Sequence, residues 1–150
     1  MVGYSGTPLA RKLGIKPGSR LFVAGAPPDY ARLVAPLPDD VKFVSRMTGD
    51  TDIAHLFATR RADLAAKVRS TLARLKPDGA IWISWPKKAS KTPTDITEDT
   101  IREIALPLGL VDVKVCAVDE VWSGLKLVIR KKRRWPDSRC RGGIARRASG

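Results

Sequence analysis

An α/β domain with a mostly parallel sheet is what this sequence predicts, closed by an antiparallel hairpin at its C-terminal end. Three observations carry the expectation. Short apolar runs of strand length alternate with amphipathic stretches of helix length, and such alternation gives a parallel sheet with helices on both faces. The runs at 53–58 and 80–85 are apolar almost throughout, as in strands covered on both sides. The last two runs, 112–118 and 125–129, flank a turn-like segment, Asp119-Glu120-Val121-Trp122-Ser123-Gly124, which is hairpin spacing.

The elements follow in order. Residues 8–13 predict a short helical turn, with Pro8 at its start and Gly14 at its end. Lys16, Pro17 and Gly18 signal a turn before a first strand at 21–24. The loop at 25–29 is tight, and Asp29 is placed to cap a helix reaching Val34. Pro36 and Pro38 end that helix, and 41–44 and 53–58 are the second and third strands. A helix from Arg60 to Leu75 comes next. Its Leu64, Val68, Leu72 and Leu75 fall on one stripe, Thr59 is the expected cap, and Pro77-Asp78-Gly79 the stop. After the fourth strand at 80–85, a helix begins near Thr94 or Thr97, where a hydroxyl caps and Asp95, Glu98 and Asp99 complement the dipole. Ile101, Ile104, Ala105 and Leu108 form its inner face, and Gly109 ends it. With the hairpin, the sheet has six strands, and right-handed crossovers restrict how they can be ordered.

At 150 residues the chain fits one domain, expected over 1–130 with an N-terminal arm, followed by a basic tail over 131–150. The net charge is +13, but residues 130–150 hold nine of the 28 Lys and Arg and only Asp137 among the 15 acids. Most of the excess therefore belongs to the tail. Poor in apolar residues, it is expected to be disordered. Its charge would draw nucleic acid without sequence preference, through Arg133, Arg134 and a base stacked on Trp135. No run approaches the ~18 apolar residues of a membrane helix. The N-terminus has no apolar signal core either, so a cytoplasmic location with no membrane partner is expected. Cys116 and Cys140 make no disulfide framework, and His55, the one histidine, makes no metal set. Cys116 reads as an inert core thiol and His55 as an ordinary strand residue.

The candidate site lies where the fourth strand ends. Loops at the carboxyl ends of strands hold the ligands of open α/β sheets. Lys87, Lys88 and Lys91 stand there, before a helix start, a setting that suits an anion. Trp85 and Trp122, beside turns, would give stacking walls. Thr94 and Asp95 would support the helix start, Ser123 borders the hairpin turn, and Tyr4 would join if the N-terminal arm folds over the crevice. The bland readings are a solvated loop for the lysines and packing under loops for the tryptophans. Asp119 and Glu120 point to opposite faces of an extended segment, a poor acid–base dyad and a better pair of turn residues. Without a nucleophile–base pair or metal set, binding is favoured over catalysis. The expected ligand is an anionic small molecule or a protein partner.

Two resemblances sharpen this. Leu75, Pro77 and Gly79 before an apolar strand, a further helix and a final hairpin resemble the C-terminal half of a Rossmann-like methyltransferase, where that helix ends in Leu-x-Pro-Gly-Gly. The resemblance implies the fold. It does not imply the cofactor, because the loop after the first strand carries Pro27 and Pro28, which lack amide donors. Ser45 and Arg46 also stand where the family keeps its ribose-holding acid, and one strand–helix unit is missing. S-adenosylmethionine is therefore not the expected cofactor. The chain also resembles the small bacterial, mainly actinobacterial, proteins known as domain of unknown function 3052. The residues that carry this are Gly3-Tyr4-Ser5-Gly6-Thr7-Pro8-Leu9, Trp85-Pro86-Lys87-Lys88, Thr94-Asp95, Lys114-Val115-Cys116-Ala117-Val118-Asp119-Glu120 and Trp122-Ser123-Gly124. That resemblance brings no activity with it. The expectation is a non-catalytic Rossmann-like binding or regulatory module. The alternatives are a methyltransferase-like enzyme using S-adenosylmethionine and a nucleic-acid-associated protein acting through the tail.

Overall fold

The structure, a computed structural model, describes residues 8–130. Tyr4, Cys140, Arg133, Arg134, Trp135 and the expected tail lie outside the described residues. In chain order the elements are α1 (Leu9–Leu13), β1 (Arg20–Ala24), α2 (Tyr30–Leu33), β2 (Lys42–Val44), β3 (Ile53–Phe57), α3 (Arg61–Leu72), β4 (Ala80–Pro86), α4 (Glu98–Ala105), β5 (Leu110–Ala117) and β6 (Trp122–Ile129). Single 3₁₀ turns sit at Lys88–Ser90 and Leu106–Leu108. Among the described residues, no helix is long and apolar enough to cross a membrane.

The six strands form one sheet in the order β2-β1-β3-β4-β6-β5. The first four run parallel, and β6 pairs antiparallel with both β4 and β5. From β1 the chain moves outward to β2, then returns past β1 and moves the other way through β3 and β4. The gap between β1 and β3 is thus the point where the strand order reverses, the usual ligand position in such sheets.

Both faces are covered, which is why β3 and β4 are apolar along their whole length and buried throughout. On one face, α3 and α4 bring Leu64, Val68, Ile101 and Ala105 onto Ala54, Leu56, Ile81, Ile83 and Trp85. On the other, α1 and α2 bring Leu9, Leu13, Tyr30 and Val34 onto Leu21, Ile53, Phe57 and Trp82. The Trp82 indole donates to the Leu13 carbonyl at 2.9 Å and fastens α1 to the central strand. That indole lies across Gly124, where a Cβ would stand 3.3 Å from the ring. A strand position without a side chain lets it pass.

Four local expectations need correction. Helix α3 ends at Leu72 rather than Leu75, because Arg74 and Leu75 donate to Thr71 and Leu72 in a tightened last turn. Thr59 does not cap it, since Arg60 holds the cap position without a side-chain bond. Asp29 holds the cap position of α2 but makes no side-chain bond there either. Strand β6 begins at Trp122, earlier than expected, because Trp122, Ser123 and Gly124 pair with Pro86, Trp85 and Ser84.

Candidate functional site

The carboxyl ends of β1, β3 and β4 lie on one edge of the sheet, and the β5–β6 turn joins them because Trp122 pairs with Pro86. The amide of Lys87 donates to the Val121 carbonyl at 2.7 Å, so the lysine loop and the hairpin turn are physically joined. Asp119 accepts from the Val121 and Trp122 amides, each at 2.8 Å, and builds the turn rather than an acid–base site.

A groove of about 580 Å³ opens between the end of β4 and the start of α4. Buried Trp85 and Pro86, with Ile96, supply its apolar lining, and Thr94 borders it. Exposed Lys88 and Lys91 line it, as do Glu98 and Asp99 from the first turn of α4. Thr97 is the cap of α4 and accepts from the Thr100 amide at 3.2 Å. The groove therefore has two cations and two carboxylates around an apolar lining.

Of the residues singled out in the sequence, Trp85, Lys88 and Thr94 come together in this groove, while Lys87, Asp95, Trp122 and Ser123 are not among its lining residues. Ser123 pairs directly with Trp85 in the β4–β6 ladder, and Trp122 with Pro86. Successive residues alternate faces, so the two indoles lie on opposite sides of the sheet and do not form facing walls. Trp122 instead meets Phe57 edge to face at 5.0 Å. Thr94 and Asp95 reach across to α3. The Thr94 hydroxyl donates to the Thr59 carbonyl at 2.7 Å, and the Asp95 carboxylate accepts from the Arg61 amide at 2.6 Å.

At the reversal point the chain is tightly closed. Gly25 has φ +72°, and a Cβ there would fall 2.7 Å from the Phe57 carbonyl oxygen and 3.0 Å from Lys67 Nζ. Lys67, from α3, donates to that same carbonyl at 2.9 Å and pairs with Asp63 at 3.0 Å. A fixed ammonium thus sits over the β1–β3 gap.

Sequence reasoning did not connect a buried chain of polar side chains on the α1–α2 face. His55 lies between Tyr30, whose hydroxyl is 2.9 Å from Nδ1, and Ser84, whose hydroxyl is 2.7 Å from Nε2. Burial pushes the imidazole pKa down to about 3 and the Tyr30 phenol well above its ordinary value. The ring is therefore neutral, with one nitrogen donating and the other accepting. The set has the outline of a nucleophile, base and orienter, but His55 and Ser84 have no exposure at all. It works as a strut across α2, β3 and β4. Two polar residues within apolar strands were the available signal, since buried polar groups need partners. Elsewhere, burial raises the Cys116 thiol pKa, as suits an unreactive thiol. No cluster of three or more His, Cys, Asp or Glu suited to a metal occurs among the described residues.

Two solved structures define the class. A methyltransferase of Aquifex aeolicus that depends on S-adenosylmethionine superposes with a TM-score of 0.56 at 14% identity, covering 81% of this chain and 87% of its own. A tRNA methyltransferase of Bacillus subtilis superposes at 0.53 with 12% identity, covering 89% of this chain and 69% of its own. At such identities the likeness is one of fold, and the domain is Rossmann-like, of the methyltransferase type. The chain belongs to the family described as "Protein of unknown function (DUF3052)", whose sequence model matches residues 49–131. No curated protein matches it in sequence.

The fold family implies S-adenosylmethionine, and the residues at the reversal point do not fit it. The cofactor is itself a cation at sulfur, and Lys67 holds a like charge over the gap. A Cβ at Gly25 would collide with the Phe57 carbonyl, and the loop continues into Pro27 and Pro28 without amide donors.

Proposed function

We propose that this protein is a non-catalytic binding or regulatory module whose working surface is the groove between the end of β4 and the start of α4. The observation that carries the reading is the groove itself, a concave site beside buried Trp85 with Lys88 and Lys91 on it. Its volume falls in the range of roughly 300–1,000 Å³ typical of ligand sites. Glu98 and Asp99 also line it, and Arg102 already pairs with both, at 3.9 and 3.1 Å. A fitting molecule offers an anionic group to the lysines, as an acidic small molecule or an acidic segment of a protein partner does. The closed β1–β3 gap supports this reading over a methyltransferase.

Native mass spectrometry of gently purified protein tests it, together with thermal shifts against a panel of acidic small molecules. A bound mass or stabilisation lost in Lys88→Ala/Lys91→Ala supports the groove. Binding retained by that variant, or S-adenosylmethionine bound by the wild type, overturns the reading.

A further inference from the structure

Between β2 and β3 the chain runs from residue 45 to 52 without a helix, so the sheet beside β1 is covered there by loop alone. A cavity of about 460 Å³ opens beneath that loop, lined by Phe22, Ser45, Arg46, Met47, Thr71 and Arg74, with Ser70 at the side. Its charged lining is wholly cationic, unlike that of the groove at β4. Neither the Arg46 nor the Arg74 guanidinium makes an ion pair or hydrogen bond with another described residue. Thr71 is 2% exposed, and its hydroxyl has no hydrogen-bond partner among the described residues. A buried hydroxyl left unmatched is a cost to the fold unless something in the cavity meets it.

The geometry points to a binding site for a small phosphomonoester, its dianion held by Arg46 and Arg74 and met by the Thr71 hydroxyl, its apolar body on Phe22 and Met47. Guanidinium forks match the oxygens of a phosphate group, and two of them balance a charge near −2 better than a carboxylate's −1. The concave shape and size suit a small molecule, not a macromolecular surface.

The test uses the full chain, titrated by calorimetry at constant ionic strength with phenyl phosphate and with inorganic phosphate. Both bind, and phenyl phosphate binds tighter because its ring covers Phe22 and Met47. Arg46→Ala and Arg74→Ala each weaken phenyl phosphate by about tenfold or more, as loss of a charged hydrogen bond does. Thr71→Val also weakens it, while Thr71→Ser keeps it. The two arginines are exposed, so their variants keep the fold, and circular dichroism verifies this. Absence of phenyl phosphate binding in the wild type overturns the proposal. So does binding that survives Arg46→Ala/Arg74→Ala, which would assign the affinity to other basic residues.

Discussion

Asp95 caps a helix to which it does not belong: its carboxylate accepts the Arg61 amide at 2.6 Å, across 34 residues of sequence. The loop between β4 and α4 thus finishes the start of α3, next in sequence to Thr94, which lines the groove. Loss of a helix cap costs about 1 kcal/mol. Asp95→Ala should lower stability in urea by about that much. Asp95→Asn keeps an acceptor and should lose less, with the charge–dipole share of the bond removed.

His55 gives a pH dependence with a definite sign. Its imidazole binds a proton near pH 6.5 in the unfolded chain and only near pH 3 in the fold. Between those values the unfolded state holds more protons, so stability is full above about pH 6.5 and falls as pH drops, by up to ~1.4 kcal/mol per unit. Because the chain has one histidine, its ring signal in NMR identifies itself. That signal should not titrate between pH 7.5 and 4.5 while the protein stays folded.

Ser84→Ala leaves one ring nitrogen of His55 without its partner in a site closed to water. Stranding a buried polar group costs roughly 1–3 kcal/mol. Chemical denaturation should read a loss of that size, and Tyr30→Phe, which strands the other nitrogen, a similar one.

Gly25→Ala should be among the most damaging small substitutions on the sheet's carboxyl edge. The left-handed conformation costs a non-glycine residue roughly 1–2 kcal/mol by itself. The new methyl also meets backbone oxygen at 2.7 Å, which cannot rotate away. Thermal unfolding of Gly25→Ala against the wild type measures the sum.

Much of the fold was legible in the sequence because period and punctuation are local. Leu64 and Val68 on one stripe, Ile101 and Ala105 on another, and Gly109 at φ +90° all sit as their spacing predicts. What the sequence left unread depends on partners far along the chain. Nothing near Asp95 announces Arg61, and nothing near Trp122 says that the ladder turns it away from Trp85. Face assignment at a strand end hangs on a one-residue register, so two tryptophans beside one loop could share a wall or be divided by the sheet. The lysine loop follows β4 at its carboxyl end, as the sequence implies, but nothing in the sequence says that Glu98 and Asp99 line the same groove as Lys88 and Lys91.

The bond between His55 and Ser84 spans 29 residues, and this has a consequence during synthesis. A chain leaving the ribosome presents β1, β2 and β3 well before β4 exists. Through that interval β3 has one open edge, an apolar surface along its length and a histidine with half its partners. The N-terminal half therefore leaves β3 half-paired, and the sheet closes only when the fourth strand is delivered.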